Sequence, residues 1–328
     1  MVSRKEEVCV DKENTLVENI LLFLKSRFYI IAFLIVFLVF SVGSKRFLSS
    51  VNLLLILVQA SVMMITAMGE TFVILAGSID LAVGSIIGIG ATATAVLGPM
   101  IGISVFPIAA LIGGICGSFS GIIFSKGRIP SFMATLASMT ILRGLVYIIT
   151  KGVALPITLP NLRIIGIGKF YGVPISVLVA ITVIVIAYYL CHINKFGFKV
   201  AAIGGNEKAS DLSGIKVDKV KFLVFVLSGI FAGLAGAVSA SRTGAGSPYA
   251  GLGFETDVIT CVVLGGTAMT GGIGGIKGTI IGTLIIAMLS NGLDLMGVDP
   301  YLQTIVKGIV LWLAVIVSID RQKIGVVK

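Results

Sequence analysis

The chain is poor in charge. Of its 328 residues only 12% are Asp, Glu, Lys or Arg, against about 25% in a typical soluble domain. Histidine is nearly missing, with His192 the single copy. One histidine cannot supply a zinc site or a Ser-His-Asp constellation without convergent partners. The four cysteines, Cys9, Cys116, Cys191 and Cys261, form no CxxC pair, which argues against a disulfide framework or a thiolate metal site. No lysine sits in a Walker A setting, and neither HExxH nor GxSxG occurs. The glycine run 265–278 misses GxGxxG because Lys277 fills the third glycine position. These absences point away from an enzyme and away from ATP hydrolysis by this chain itself.

What is present is apolar. Hydrophobic residues make up 57% of the sequence, and mean hydropathy is +1.11. A globule of that composition could not cover its surface with polar groups in water, so the surrounding solvent is lipid. A spanning helix needs about 20 mostly apolar residues. Ten blocks qualify: 28–42, 53–76, 81–99, 103–124, 131–149, 174–192, 221–240, 256–270, 278–292 and 302–318. The expected fold is an all-α, polytopic helix bundle of about ten spans with one broken region. Residues 28–320 form the membrane domain, 1–27 a cytoplasmic N-terminal segment and 321–328 a cytoplasmic tail. The first block lacks a small-x-small cleavage signal and reads as a retained span. With the N-terminus inside, the loops divide Lys and Arg as 17 cytoplasmic to 6 external, as the positive-inside rule requires. That distribution accounts for the formal charge of +10 without invoking nucleic acid. It puts both termini in the cytoplasm and makes 193–220 the longest inner loop.

Ionisable groups inside spans are costly and usually face a cavity or a partner. Glu70, Asp80, Arg143, Glu255, Asp257 and Lys307 are such groups. In AGSIDLAVGS (76–85) the pattern suggests a broken span, with Asp80 capping a helix that starts near Leu81. The bend either borders a solute path or only holds the fold. Glu70 and Arg143 are candidates for an interior pair, and Lys307 for a side chain that snorkels outward. Gly84, Ser85, Arg143 and Asn291 complete the expected pathway set with Glu70 and Asp80. The glycines 229, 233 and 236, and 84, 88 and 90, suit close helix packing. GGTAMTGGIGGIKG (265–278) holds too many glycines for a stable helix and reads as an irregular turn where backbone approaches something closely.

GGNEKASDLSGI (204–215) interrupts this apolar background. Asn206 is a favoured N-cap, Glu207 suits the first helical turn, and Gly214 suits the C′ position, with Ile215 folding back on Ala209. The stretch 207–213 reads as a two-turn helix, too short to stand alone in water. Ala209, Leu212 and Ile215 share one side, for docking to a soluble partner or for packing on this chain.

The motifs GETFVILAGSIDLAVGS (69–85), SKGRIPSFMATLASMTILRG (125–144), NKFGFKVAAIGGNEKASDLSGI (194–215), DVITCVVLGGTAMTGGIGGIKGTIIGTLI (257–285) and NGLDLMGVDPYLQTIVKGIVLWLAV (291–315) occur in one order. On them the chain resembles the permeases of ribose/xylose/galactoside ABC importers, from about residue 28 to 320. The resemblance implies a monosaccharide importer of the cytoplasmic membrane, with ribose the first expectation. It implies a second permease chain, a homodimer by expectation, a cytoplasmic ATPase that binds the ATP, and an extracytoplasmic sugar-binding protein. It implies no cofactor on this chain. The ATPase-coupling segment falls on Gly204, Gly205, Asn206, Glu207, Ala209, Leu212, Gly214 and Ile215. The alternative is an ion-coupled secondary sugar transporter using Asp80, Glu70 or Asp257. A third reading is an intramembrane enzyme built on paired carboxylates.

Overall fold

The computed structural model describes residues 28–127 and 129–318. The expected terminal segments 1–27 and 321–328, with Cys9, and also Arg128 of the 125–144 motif, lie outside the described residues. The chain is an all-α, polytopic helix bundle. Its helices are α1 (Phe28–Gly43), α2 (Ser50–Leu75), α3 (Val83–Ile101), α4 (Val105–Gly127), α5 (Ser131–Thr150), α6 (Pro160–Ile167), α7 (Ile175–Tyr188), α8 (Lys195–Gly205), α9 (Glu207–Leu212), α10 (Val217–Thr243), α11 (Phe254–Leu264), α12 (Ile276–Leu295) and α13 (Pro300–Ser318).

Among the described residues, six helical stretches are long and apolar enough to cross a membrane, and two shorter apolar helices begin at Phe28 and Pro300. One of the six, Val83–Gly127, is two helices joined at Gly102–Ser104, where Gly102 takes φ +60°. The expected block 256–270 is helical only over Phe254–Leu264. At 1.5 Å per residue its 11 residues reach about 16 Å, roughly half a bilayer core.

α2 is the spine. Ser49 starts it by accepting the Asn52 amide (3.3 Å). Its first turns expose Val51, Leu53, Leu55 and Leu57, whereas 60–76 is buried throughout. One apolar cluster groups one side of α2 with α3, α4, α7 and α10. A second groups its other side with α1, α11 and α12. α10 and α4 meet through glycines: Gly113 and Gly117 face Gly229 and Gly233, and a Cβ on any of the four would strike the other helix's backbone. The four-residue spacing on both helices is the small-xxx-small pattern that lets membrane helices approach closely.

The long loops at the other end are tied together by two-residue ladders. Strand β1 (Leu155–Pro156) pairs antiparallel with β4 (Ala245–Gly246), and β2 (Lys169–Phe170) with β3 (Val173–Pro174).

Candidate functional site

The α2–α3 break is built by local chemistry. Gly77 adopts φ +74°. Its amide donates to Ile74 O (2.9 Å) and that of Ser78 to Val73 O (3.0 Å), a Schellman ending for α2. Asp80 is fully buried. Its Oδ1 accepts the Ala82 amide (2.9 Å) and its Oδ2 the Ser228 hydroxyl of α10 (3.1 Å). The bend is where the sequence placed it, but α3 begins at Val83 and not near Leu81. Asp80 therefore stabilises the turn ahead of the helix, because its side chain reaches the amide two residues on. Helix α5 holds this turn and the start of α3: Ser131 Oγ accepts from Ile79 N (3.2 Å), and Ser85 Oγ donates to Met139 O (2.9 Å).

Glu70, fully buried on α2, faces this turn. Its Oε1 accepts the Asp80 amide (3.2 Å), while Oε2 is enclosed without a hydrogen-bond partner. The expected Glu70–Arg143 pair does not form. Arg143 Nη1 instead donates to the carbonyls of Pro248 (3.2 Å) and Ala250 (2.9 Å). Its guanidinium rests over Gly88, where an added Cβ would lie 3.3 Å from Nη1. The Glu255 carboxylate, with Oε2 enclosed and unpartnered, presses on Gly84. Gly84 and Gly88 are one turn apart on α3, so Arg143 and Glu255 occupy neighbouring berths about 6 Å apart along that helix. Beside them Tyr147 and Tyr249 form an exposed edge-on pair (centroids 6.2 Å). Lysine and arginine form no salt bridge with Glu70, Asp80 or Glu255 among the described residues.

The 204–215 segment folds as α8, a one-residue joint at Asn206, and α9. Asn206 Oδ1 accepts the Ala209 amide (3.0 Å). Gly214 (φ +81°) donates to Asp211 O (2.9 Å) and Ile215 N to Ser210 O (3.1 Å), so both caps are those the sequence predicted. Glu207 pairs with Lys221 of α10 (2.6 Å). The apolar edge is not as expected. Leu212 is 90% exposed and Ala209 is exposed, whereas Ile215 turns inward onto the main core. The C″ residue of a Schellman turn is directed back over its helix, which removes it from an outer face. Beside α9 lies a cavity of about 890 Å³ lined by Phe124, Pro130, Glu207, Asp211 and Lys221 among others.

The close approach expected of the 265–278 run is found, and its partner is this segment. Gly272 N donates to Leu75 O (2.9 Å), the carbonyl left free where α2 ends. Gly204 presses on the same carbonyl, and an added Cβ there would also lie 2.5 Å from Gly272 N. A side chain at 271 would sit 2.6 Å from Gly77 N and 2.8 Å from Gly204 Cα. Three chain segments thus meet backbone to backbone through Gly77, Gly204, Gly271 and Gly272.

A family of permease components, described as branched-chain amino acid transport system / permease component, matches residues 52–315. The chain belongs to this permease family. It is 42% identical over 299 residues to the ribose import permease protein of Escherichia coli (strain K12), covering 89% of this chain and 93% of the relative. To the ribose import permease protein of Bacillus subtilis (strain 168) it is 41% identical over 296 residues, 88% and 90% of the two chains. The D-allose transport system permease protein of E. coli K12 is 36% identical over 299 residues, 90% of each. No solved structure matches the chain.

In this permease, Asn291 stands apart from the other expected pathway residues. It exchanges two side-chain hydrogen bonds with Asn52 (2.9 and 3.0 Å), both buried. Asn52 lies 18 residues before Glu70 on α2, about 27 Å along the axis, so the pair ties the start of α2 to α12. Lys307 does not snorkel freely but pairs with Asp257 at 2.8 Å, fastening α13 to the first turn of α11. Sequence reading missed Ser228, which is 148 residues from Asp80, and the tyrosine pair, which nothing in its spacing marks. It also missed that α2 and α11 end alike. Leu75-Ala76-Gly77-Ser78 and Leu264-Gly265-Gly266-Thr267 each carry a positive-φ third residue and the same two reverse hydrogen bonds.

Proposed function

We propose that this permease imports a monosaccharide, ribose before others, as the membrane subunit of an ATP-binding-cassette importer. The observation that carries the reading is the 41–42% identity to ribose import permeases over nearly nine-tenths of the chain. Energy enters through a separate ATPase, consistent with the absence of a Walker A sequence here. The ten apolar helices α1–α5, α7 and α10–α13 are taken as ten crossings, α11 doing so with the glycine loop that follows it. Both termini then face the cytoplasm, residues 28–320 being the membrane domain, and an extracytoplasmic binding protein delivers the sugar to the opposite face. A second copy of the chain completes the pathway.

In this reading α9 docks the ATPase through exposed Leu212, Ala209 and Gly205, while Gly204, Asn206, Glu207, Gly214 and Ile215 brace it. Glu70, Asp80, Gly84, Ser85 and Arg143 border the path. Glu255, Tyr147 and Tyr249 join them, since an aromatic face beside a few aimed polar groups suits a small polyhydroxylated solute. Asn291 is assigned to the fold instead. The test is uptake of labelled ribose by proteoliposomes holding this chain with its co-purifying proteins. Uptake that requires internal ATP, an ATPase subunit and an external binding protein supports the reading. Uptake by this chain alone under an ion gradient refutes it.

A further inference from the structure

A cavity of about 390 Å³ opens between the N-terminal half of α2, the end of α6 and the last turn of α10. Its walls are apolar: Leu55, Val58, Ile167 and Pro174. Its polar groups are cations and one amide: Lys169, Arg242 and Gln59. Arg242 spends one N–H on Val58 O (3.2 Å) and keeps its other donors. Neither cation forms a salt bridge among the described residues. The Gln59 side-chain oxygen is enclosed and has no hydrogen-bond partner. A third cation, Arg163, rests over Gly244, two residues past Arg242, with its Nε enclosed and unpartnered.

Two cations without a salt bridge thus line the cavity, on the face that the Lys and Arg count makes poorer in positive charge. The neighbouring β2–β3 hairpin places exposed Phe170 and Tyr171 at its tip, as in the aromatic belts that sit at headgroup depth. Cations beside apolar walls match an amphiphile with an anionic head.

We infer that this cavity holds the phosphate of an anionic phospholipid, in the leaflet on the side of the α2 N-terminus, with Leu55, Val58, Ile167 and Pro174 against the apolar part of the lipid next to the phosphate. Lys169 and Arg242 neutralise the phosphate. The lipid would wedge α6 against α2 and α10 and so brace the loops at this end of the bundle. The inference stands on the cavity alone and needs no particular transported solute.

The test is native mass spectrometry of the detergent-purified permease after incubation with an equimolar mixture of dioleoylphosphatidylglycerol and dioleoylphosphatidylcholine. The wild-type chain should retain phosphatidylglycerol in preference. Lys169→Gln and Arg242→Gln should each lower that preference about fivefold, following the attraction of one Lys or Arg to an anionic surface. The Lys169 side chain is exposed and makes no hydrogen bond or salt bridge among the described residues, so its variant answers even if Arg242→Gln destabilises the protein. Equal retention of the two lipids by wild type overturns the inference, as does unchanged preference in Lys169→Gln. Displacement of the lipid by saturating inorganic phosphate also overturns it, because the site would then be one for a free anion.

Discussion

Gly204→Ala is the most demanding test of the junction beneath the broken helix. The new Cβ would be forced onto the Leu75 carbonyl and close to Gly272 N. For an ordinary carbon–oxygen contact the two segments must part by roughly 1 Å. Overpacking of that kind costs about 1–3 kcal/mol, and the Gly272–Leu75 hydrogen bond (2.9 Å) contributes about 1 kcal/mol more. The sum, about 2–4 kcal/mol, shifts a two-state equilibrium roughly thirty- to a thousandfold. Gly205→Ala is the control, since nothing lies within 4 Å of a Cβ there. The assay is ATP-driven uptake in proteoliposomes, with ATPase binding and the thermal midpoint of the permease measured alongside. Gly204→Ala should still bind the ATPase, because α9 and its caps are untouched, yet lose most uptake. Gly205→Ala should not lower the thermal midpoint, because nothing lies against a Cβ there. Normal uptake and an unchanged midpoint in Gly204→Ala would refute the reasoning.

Three further outcomes are expected. Leu212→Asp should leave the thermal midpoint unchanged, since the side chain is 90% exposed, but should release the ATPase on pull-down; retention of the subunit would remove Leu212 from the docking face. Asp80→Leu should abolish uptake by freeing the Ala82 amide and the Ser228 hydroxyl together, whereas Ser228→Ala, which loses one bond, should cost about 1 kcal/mol and retain transport; equal uptake by Asp80→Leu and wild type would contradict the turn's role. Asn291→Leu should destabilise by about 1–3 kcal/mol because the buried Asn52 Oδ1 loses its donor while Nδ2 keeps only Phe47 O, and Asn52→Leu/Asn291→Leu should recover part of that; thermal melts in detergent read the cycle, and strictly additive losses would mean the pair is not coupled.

How legible each feature was depends on how far apart its parts lie in the chain. The caps of α9 are hydrogen bonds between residues three to five apart, from Asn206 to Ala209 and from Ile215 back to Ser210. Residue identity alone selects them, so they were readable. The bend at Gly77 and Asp80 was readable for the same reason. The partner of Glu70 was not. Glu70 and Arg143 share no local geometry, and helix rotation decides which acid an arginine meets. Rotation turns Arg143 toward the loop carbonyls of Pro248 and Ala250, with Glu255 behind. Glycines carry the least sequence information of all. Gly204 and Gly205 look equivalent in a string, yet one is pressed on Leu75 O and the other faces open space.

That difference bears on how movement at α9 reaches the buried carboxylates. Leu75 is five residues from Glu70 on α2, about 7.5 Å along a continuous helix. The same carbonyl receives Gly272 N from the glycine loop and the Cα of Gly204 from the end of α8. A contact made of side chains absorbs displacement by changing rotamers; this one has no side chains to change. Displacing α8 therefore displaces the end of α2 or breaks the Leu75–Gly272 bond. Packed backbone contacts of this kind switch between discrete arrangements more readily than they deform. The end of α2 is also where the chain has already given up helical continuity, so rotation there disrupts no intrahelical hydrogen bond beyond the Schellman turn at Gly77. The Asp80 turn, held to α2 by the Glu70–Asp80 contact and to α10 by Ser228, lies directly beyond that hinge. A push at α9 would thus be delivered to the segment that carries the two buried acids, Glu70 and Asp80.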